Sequence, residues 1–196
     1  VILWTRHEAK GALTAELAED EAFTRVVSTA SVVPMAQNDW TVRVLAAGLK
    51  PATTYWYRFS DAKGFGSRIG RTRTAPAADD TRPVSFAFVS CQDLNVGTSN
   101  AYRKMIYEDE RKPESEQLGF VLHLGDFFYE MVWYPEDKKT YYARTVIDIV
   151  RYPKGEKHST FHVPVDVGDY RAVYRAYLSD PNLADARAEE PRHLLR

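Results

Sequence analysis

The stretch Phe120-Val121-Leu122-His123-Leu124-Gly125-Asp126-Phe127-Phe128-Tyr129 decides how the second half of this chain is read. An almost unbroken apolar run ends on a Gly-Asp turn, the pattern of a strand covered on both faces in a parallel sheet. Upstream, Val84-Ser85-Phe86-Ala87-Phe88-Val89-Ser90 has the same character and runs into Cys91. Between the two, Ala101, Tyr102, Met105, Ile106 and Asp109 recur at helical spacing after a polar Thr98-Ser99-Asn100 start, and Pro113 follows the end. Strand, helix, strand makes a βαβ unit, whose right-handed crossover sets the carboxyl ends of both strands on one sheet edge. Ligands of parallel sheets collect outside that edge.

Working outward toward the N-terminus, Ala75 to Pro83 has the small, polar, Pro-bounded composition of a linker. The residues before it read as antiparallel β: Val1 to Arg6, Arg25 to Val33, Trp40 to Val44, the strand holding Tyr55, Tyr57 and Phe59, and a short last strand at Arg71 to Thr74. Leu49-Lys50-Pro51 followed by Tyr55 is the pattern of a tyrosine corner in a fibronectin type III or immunoglobulin-like sandwich. Five strands are counted where seven are usual, so a first strand upstream of Val1 is expected. The division is therefore 1–75 β-sandwich, 76–83 linker and 84–196 second domain.

Toward the other end, Trp133 to Val165 has no readable period. Tyr170, Val173, Tyr174, Tyr177 and Leu178 form an amphipathic helical stripe with Asp169 near its start. Asp180-Pro181 reads as an N-cap and first helical residue of a short helix ending about Glu190.

The composition narrows the function. With 26 Lys and Arg against 27 Asp and Glu, the net charge is -1, which excludes a general polyanion binder of nucleic acid or anionic membrane. A single cysteine among 196 residues excludes an internal disulfide and a multi-cysteine zinc site. No apolar run approaches a transmembrane helix, and the first residues lack the regions of a signal peptide. The chain opens without Met in mid-strand, so a missing end is expected. No Gly-x-Ser-x-Gly elbow, Walker loop, Rossmann fingerprint or His-Glu-x-x-His helix occurs.

Chemistry concentrates at the two strand ends. Cys91 follows one strand, Gly125-Asp126 the other, and Tyr129 stands three residues past Asp126. Taken singly, Cys91 reads as a small core residue, Gly125-Asp126 as a turn and Tyr129 as a packed aromatic. Together, a thiolate, a carboxylate and a phenolate would repel unless protonated or neutralised by a multivalent cation. Phenolate with thiolate suits Fe3+ better than magnesium or calcium. His123 either orients Asp126 or packs; Asp93 is a supporting carboxylate or a solvated loop residue. His158 and His162 stand four apart, but Pro153, Gly155 and Pro164 argue for a solvated loop. Arg103 and Lys104 read as solvated.

Phe86 to Gln92, Ala101-Tyr102-Arg103, Val121 to Glu130, Asp169 to Tyr174 and Ser179-Asp180-Pro181 together resemble the alkaline phosphatase D (PhoD-like) metallophosphatases. Leu3-Trp4-Thr5-Arg6, Gly48-Leu49-Lys50-Pro51 and Gly70 to Thr74 are similar to that family's N-terminal domain. The resemblance implies an α+β, multi-domain chain: the sandwich, then the first part of a calcineurin-like α/β/β/α catalytic domain. It implies Fe3+ held by Cys91, Asp126 and Tyr129, with Asp126 bridging to Ca2+ or another divalent cation. The implied activity is metal-assisted in-line hydrolysis of phosphate mono- and diesters at alkaline pH, in a secreted, periplasmic or cell-surface setting. The family's Trp-Asp-Asp/Asn-His-Glu segment and later metal ligands are absent up to Arg196, so a fragment, inactive alone, is expected. A non-catalytic β-sandwich binding module is the rival reading, and a phospholipid-directed metallo-esterase a third. Substrate, second metal and oligomeric state are not legible.

Overall fold

The computed structural model describes residues 1–8, 11–97 and 99–189, and the backbone of 192–194. Thr98 and Glu190, placed above at a helix start and a helix end, lie outside the described residues. Two compact units form, one mainly Val1–Phe86, the other mainly Ala87–Gln117 with Val121–Ala186.

Among the described residues the first unit has the strands β1 Ile2–Arg6, β2 Leu13–Ala18, β3 Val26–Val32, β4 Thr41–Leu45, β5 Thr54–Asp61 and β6 Gly70–Arg73. β1 pairs with β4, and a second sheet runs β3-β2-β5-β6, every pair antiparallel. Alternate residues of both sheets meet in one core of Leu3, Leu13, Leu17, Val44, Tyr55 and Phe59. The sequence reading found five of these strands and missed β2, the strand that pairs with both β3 and β5. Its Leu13-x-Ala15-x-Leu17 alternation is genuine, with all three buried, but Leu, Ala and Glu are helix formers and mask it. The tyrosine corner forms as read: the Lys50 backbone N–H donates to the Tyr55 hydroxyl at 3.0 Å. Gly70 opens β6 because the Tyr57 ring lies where a Cβ would stand, 2.2 Å from it.

No helix or strand occurs from Thr74 to Ser85. There follow β7 Phe86–Val89, α1 Asn100–Asp109, β8 Phe120–His123, β9 Val132–Trp133, β10 Thr140–Tyr141, β11 Arg144–Thr145, β12 Glu156–His158, β13 Phe161–Val163, α2 Val167–Leu178, α3 Pro181–Glu189 and β14 Arg192–Leu194. One sheet has the order β14-β8-β7. Gly119 N–H donates to the Ser85 carbonyl and Leu124 N–H to Val89, both at 2.8 Å. The two strands thus advance in the same direction, which makes the β7–β8 pair parallel.

Burial on both faces is corrected. Val121 and His123 are buried, but Phe88 is 68% exposed and Phe86 and Leu124 also face solvent. An apolar run reports what a strand is made of, not which faces are covered. Residues 133–165, unreadable in sequence, form an antiparallel sheet β12-β13-β9 and a hairpin β10-β11. His158 and His162 therefore lie on strands, not in a loop. His158 is exposed, whereas His162 stacks on Tyr134 and its Nε2 sits 2.8 Å from Asp137.

Aspartates cap α2 and α3, whereas the Ser99 side chain at the start of α1 makes no cap hydrogen bond. Asp166 caps α2 by accepting from Asp169 N–H at 3.0 Å. Asp169, fully buried, accepts from the backbone N–H groups of Lys154 and Val165 at 3.0 and 3.1 Å. Asp180 caps α3 through Leu183 N–H at 2.8 Å. The α2 stripe centres on Val173 and Tyr177, which pack with Leu94, Tyr102, Leu183 and Ala186, while Tyr170 is exposed. Among the described residues no helix is long and apolar enough to cross a membrane.

Candidate metal centre

The ends of β7 and β8 are tied together beyond the strands. Cys91 N–H donates to the Gly125 carbonyl and Gln92 N–H to the Asp126 carbonyl, both at 3.2 Å. Both strand ends turn through left-handed backbone, with φ of 57° at Cys91 and 52° at Asp126. Such conformations cost an L-residue about 1–2 kcal/mol each and cluster where chemistry needs them. Gly125, at φ 122°, takes the position between His123-Leu124 and Asp126 that a side chain rarely tolerates.

These turns bring three donor atoms together. Cys91 Sγ donates to Asp126 Oδ2 at 3.4 Å, and the Tyr129 hydroxyl donates to the same oxygen at 3.3 Å. Cys91 is exposed, which removes its reading as a core residue. The hydrogen bond with Cys91, then burial, then the Asp126 charge push the Tyr129 phenol well above its ordinary value. One carboxylate oxygen thus accepts from a thiol and a phenol at an accessible point. Metal–ligand lengths of about 2.0–2.3 Å set neighbouring donors about 3 Å apart, so the sulfur, carboxylate and phenol fit around one ion. Among the described residues no three or more His, Cys, Asp and Glu side chains gather into a metal-holding group; here only Cys91 and Asp126 meet, with the Tyr129 phenol as the third donor.

The two supporting residues named from sequence, His123 and Asp93, take different places. His123 is buried, and its Nδ1 accepts from Gly125 N–H at 3.2 Å; it holds the residue before Asp126. Asp93 is half-buried and caps the short turn Leu94–Val96 by accepting from Asn95 N–H at 2.9 Å, and burial raises its carboxyl. That replaces the solvated reading.

Sequence reasoning missed three positioning groups. The Tyr177 hydroxyl accepts from both Leu94 N–H and Tyr129 N–H, each at 3.3 Å, so one phenol on α2 joins the Cys91 loop to the Asp126 loop. Gln92 donates from Nε2 to the Phe127 carbonyl and accepts from the Tyr102 hydroxyl at 2.6 Å, tying the same loops to α1. Asn95, buried, donates to the carbonyls of Trp133 and Ile147 and accepts from Trp133 N–H. The signal for Gln92 and Asn95 was available: polar side chains within four residues of Cys91 that a buried loop must satisfy.

Family models match both halves: one described as PhoD-like phosphatase, N-terminal domain, over residues 1–76, and one described as PhoD-like phosphatase over residues 86–194. Alkaline phosphatase D of Bacillus subtilis (strain 168) is 33% identical over 177 residues, covering 90% of this chain and 27% of its own length. A solved structure of PhoD aligns with a TM-score of 0.78 and 29% identity over 99% of this chain and 35% of that one. The chain thus spans about a quarter to a third of the length of these relatives.

Proposed function

We propose, because this chain belongs to the PhoD-like phosphatase family, that Cys91, Asp126 and Tyr129 hold the iron of a phosphoric ester hydrolase. The carrying observation is the meeting of sulfur and phenol on a single Asp126 oxygen, at 3.4 and 3.3 Å. The substrates on this reading are phosphate mono- and diesters, and the whole enzyme works outside the cytoplasmic membrane. Residues 1–75 are its immunoglobulin/fibronectin III-like sandwich, 76–83 a linker and 84–196 the first part of a calcineurin-like α/β/β/α domain.

When bound, Fe3+ with Ca2+ or another divalent cation beside Asp126 supplies Lewis acidity toward phosphate oxygens and an activated water. The chain's own work is preorganisation. The paired turns at Cys91 and Asp126 present the donors, and Tyr177 and Gln92 fix both loops, so little rearrangement accompanies substrate binding. Exposure of Cys91 leaves the centre open to a charged ester.

The test uses the full-length enzyme. Asp126→Asn is expected to lower phosphodiester turnover about a thousandfold, the scale of losing one charge-stabilising group, and to lower bound iron by metal analysis. Tyr129→Phe is expected to abolish a visible phenolate-to-iron absorption band. Normal turnover in Asp126→Asn overturns the assignment, and a colourless, metal-free, inactive parent would favour the β-sandwich binding module.

A further inference from the structure

The β10–β11 hairpin closes on two residues, Tyr142 and Ala143, between the paired Tyr141 and Arg144. Both have positive φ, 47° and 58°, the pattern of a type I′ turn, for which Asn-Gly is the favoured sequence. A tyrosine here forfeits turn propensity and stands 78% exposed. It does not stand alone. Its ring lies 4.2 Å from that of Tyr141, which in turn stacks on Trp133 at 4.1 Å. The Lys138 ammonium sits over both of the inner rings, 4.3 Å from Tyr141 and 4.9 Å from Trp133. Three graded rings thus present one free face, backed by a cation.

The hairpin is fastened to the loop that begins at Cys91. Asn95 binds the backbone of Trp133 in β9, on whose ring Tyr141 stacks, and of Ile147, two residues past β11. Arg144 Nη1 reaches to 3.4 Å of where a Cβ on Gly97 would lie, so its guanidinium rests against the same loop. Hydrogen bonding to Tyr142, then burial, raise the Tyr141 phenol, with a further contribution from the nearby Asp93 carboxylate. Neither Arg144 nor Lys138 has an ion-pair partner among the described residues.

We propose that this hairpin tip is a ring-binding subsite of the phosphatase centre, in which Tyr142 stacks on a flat ring carried by one ester arm and Arg144 faces the phosphate. The substrate class is an aryl or nucleoside phosphodiester, and the inference rests on the metal-centre reading above. Stacking on an exposed aromatic is enough for roughly tenfold discrimination between a ringed and a ringless arm.

Two substrates with the same nitrophenolate leaving group, one with a phenyl and one with a methyl second arm, separate ring binding from chemistry in the full-length enzyme. The wild type is expected to favour the phenyl diester about tenfold in kcat/KM, carried by KM, and Tyr142→Asn to erase that preference. Asn suits the left-handed backbone, so this variant keeps the turn. Tyr142→Trp is expected to restore the preference. A readout free of turnover is calorimetric binding of phenylphosphonate against methylphosphonate, which carry no ester bond to hydrolyse, with the same expected ratio and loss. No phenyl preference in the wild type, or one that survives Tyr142→Asn, overturns the subsite. A binding preference in an enzyme that hydrolyses neither diester would keep the subsite and overturn the phosphatase reading.

Discussion

Tyr177 concentrates in one side chain what the candidate site asks of its scaffold. The ring is fully buried, and the hydroxyl accepts the Leu94 and Tyr129 amides that would otherwise be left without an acceptor. Burial pushes the phenol up to about 12, while the two amides pull the other way by favouring the phenolate. A raised folded-state value means that the folded chain holds the proton more tightly than the unfolded one. The associated stability is complete below the unfolded value of 10.0 and drains away as pH rises toward about 12. Tyr177→Phe is expected to destabilise at neutral pH by about 1–3 kcal/mol, the scale of buried donors losing their acceptor. It is also expected to flatten the alkaline fall in stability. Urea unfolding at pH ~8 and ~11 checks both: an unchanged neutral midpoint would remove the clamp, and an unchanged alkaline slope would assign the fall to other groups, Tyr152 first, whose phenol burial also raises.

At the scale of the element, legibility tracked whether a strand is stabilised by its own alternation or by distant partners. Val26–Val32 and Thr54–Asp61 are long enough for β-branched and aromatic residues to announce them. The strands of residues 133–165 are two or three residues long and depend on cross-strand ring contacts such as Trp133 with Phe161, which no local pattern encodes. The same rule governs the site. Cys91, Asp126 and Tyr129 were readable because strand ends locate them, whereas Tyr177 finds its amide partners 83 and 48 positions away. Gly70 in β6 offers an element-level test, since the Tyr57 ring of β5 fills the space where its side chain would be. Gly70→Ala is expected to cost about 1–3 kcal/mol through overpacking. Combining it with Tyr57→Ala should cost less than the sum of the two single changes, a non-additivity read from a double-mutant unfolding cycle. Simple additivity would mean that the ring moves aside freely.

For the molecule as a whole, the open face of the β7–β8 pair sets how this chain behaves in solution. Phe86 and Phe88 share a face of β7 at 52% and 68% exposure, and Leu124 stands 53% exposed just past β8. Large apolar side chains grouped at a sheet surface favour association, and a net charge of -1 at pH 7 supplies little repulsion against it. The 196-residue chain is therefore expected to self-associate with rising concentration and to bind a hydrophobic dye, both measurable by sedimentation and fluorescence. Phe88→Lys places a charge at the most exposed of these positions without disturbing the face that carries Ala87 and Val89, and is expected to shift the chain toward monomer. The thiol–carboxylate–phenol contacts at Cys91 lie beyond the end of β7, so that arrangement should survive the substitution. A wild-type chain that stays monomeric and dye-free up to about 100 μM would show that the open sheet face is not a site of association.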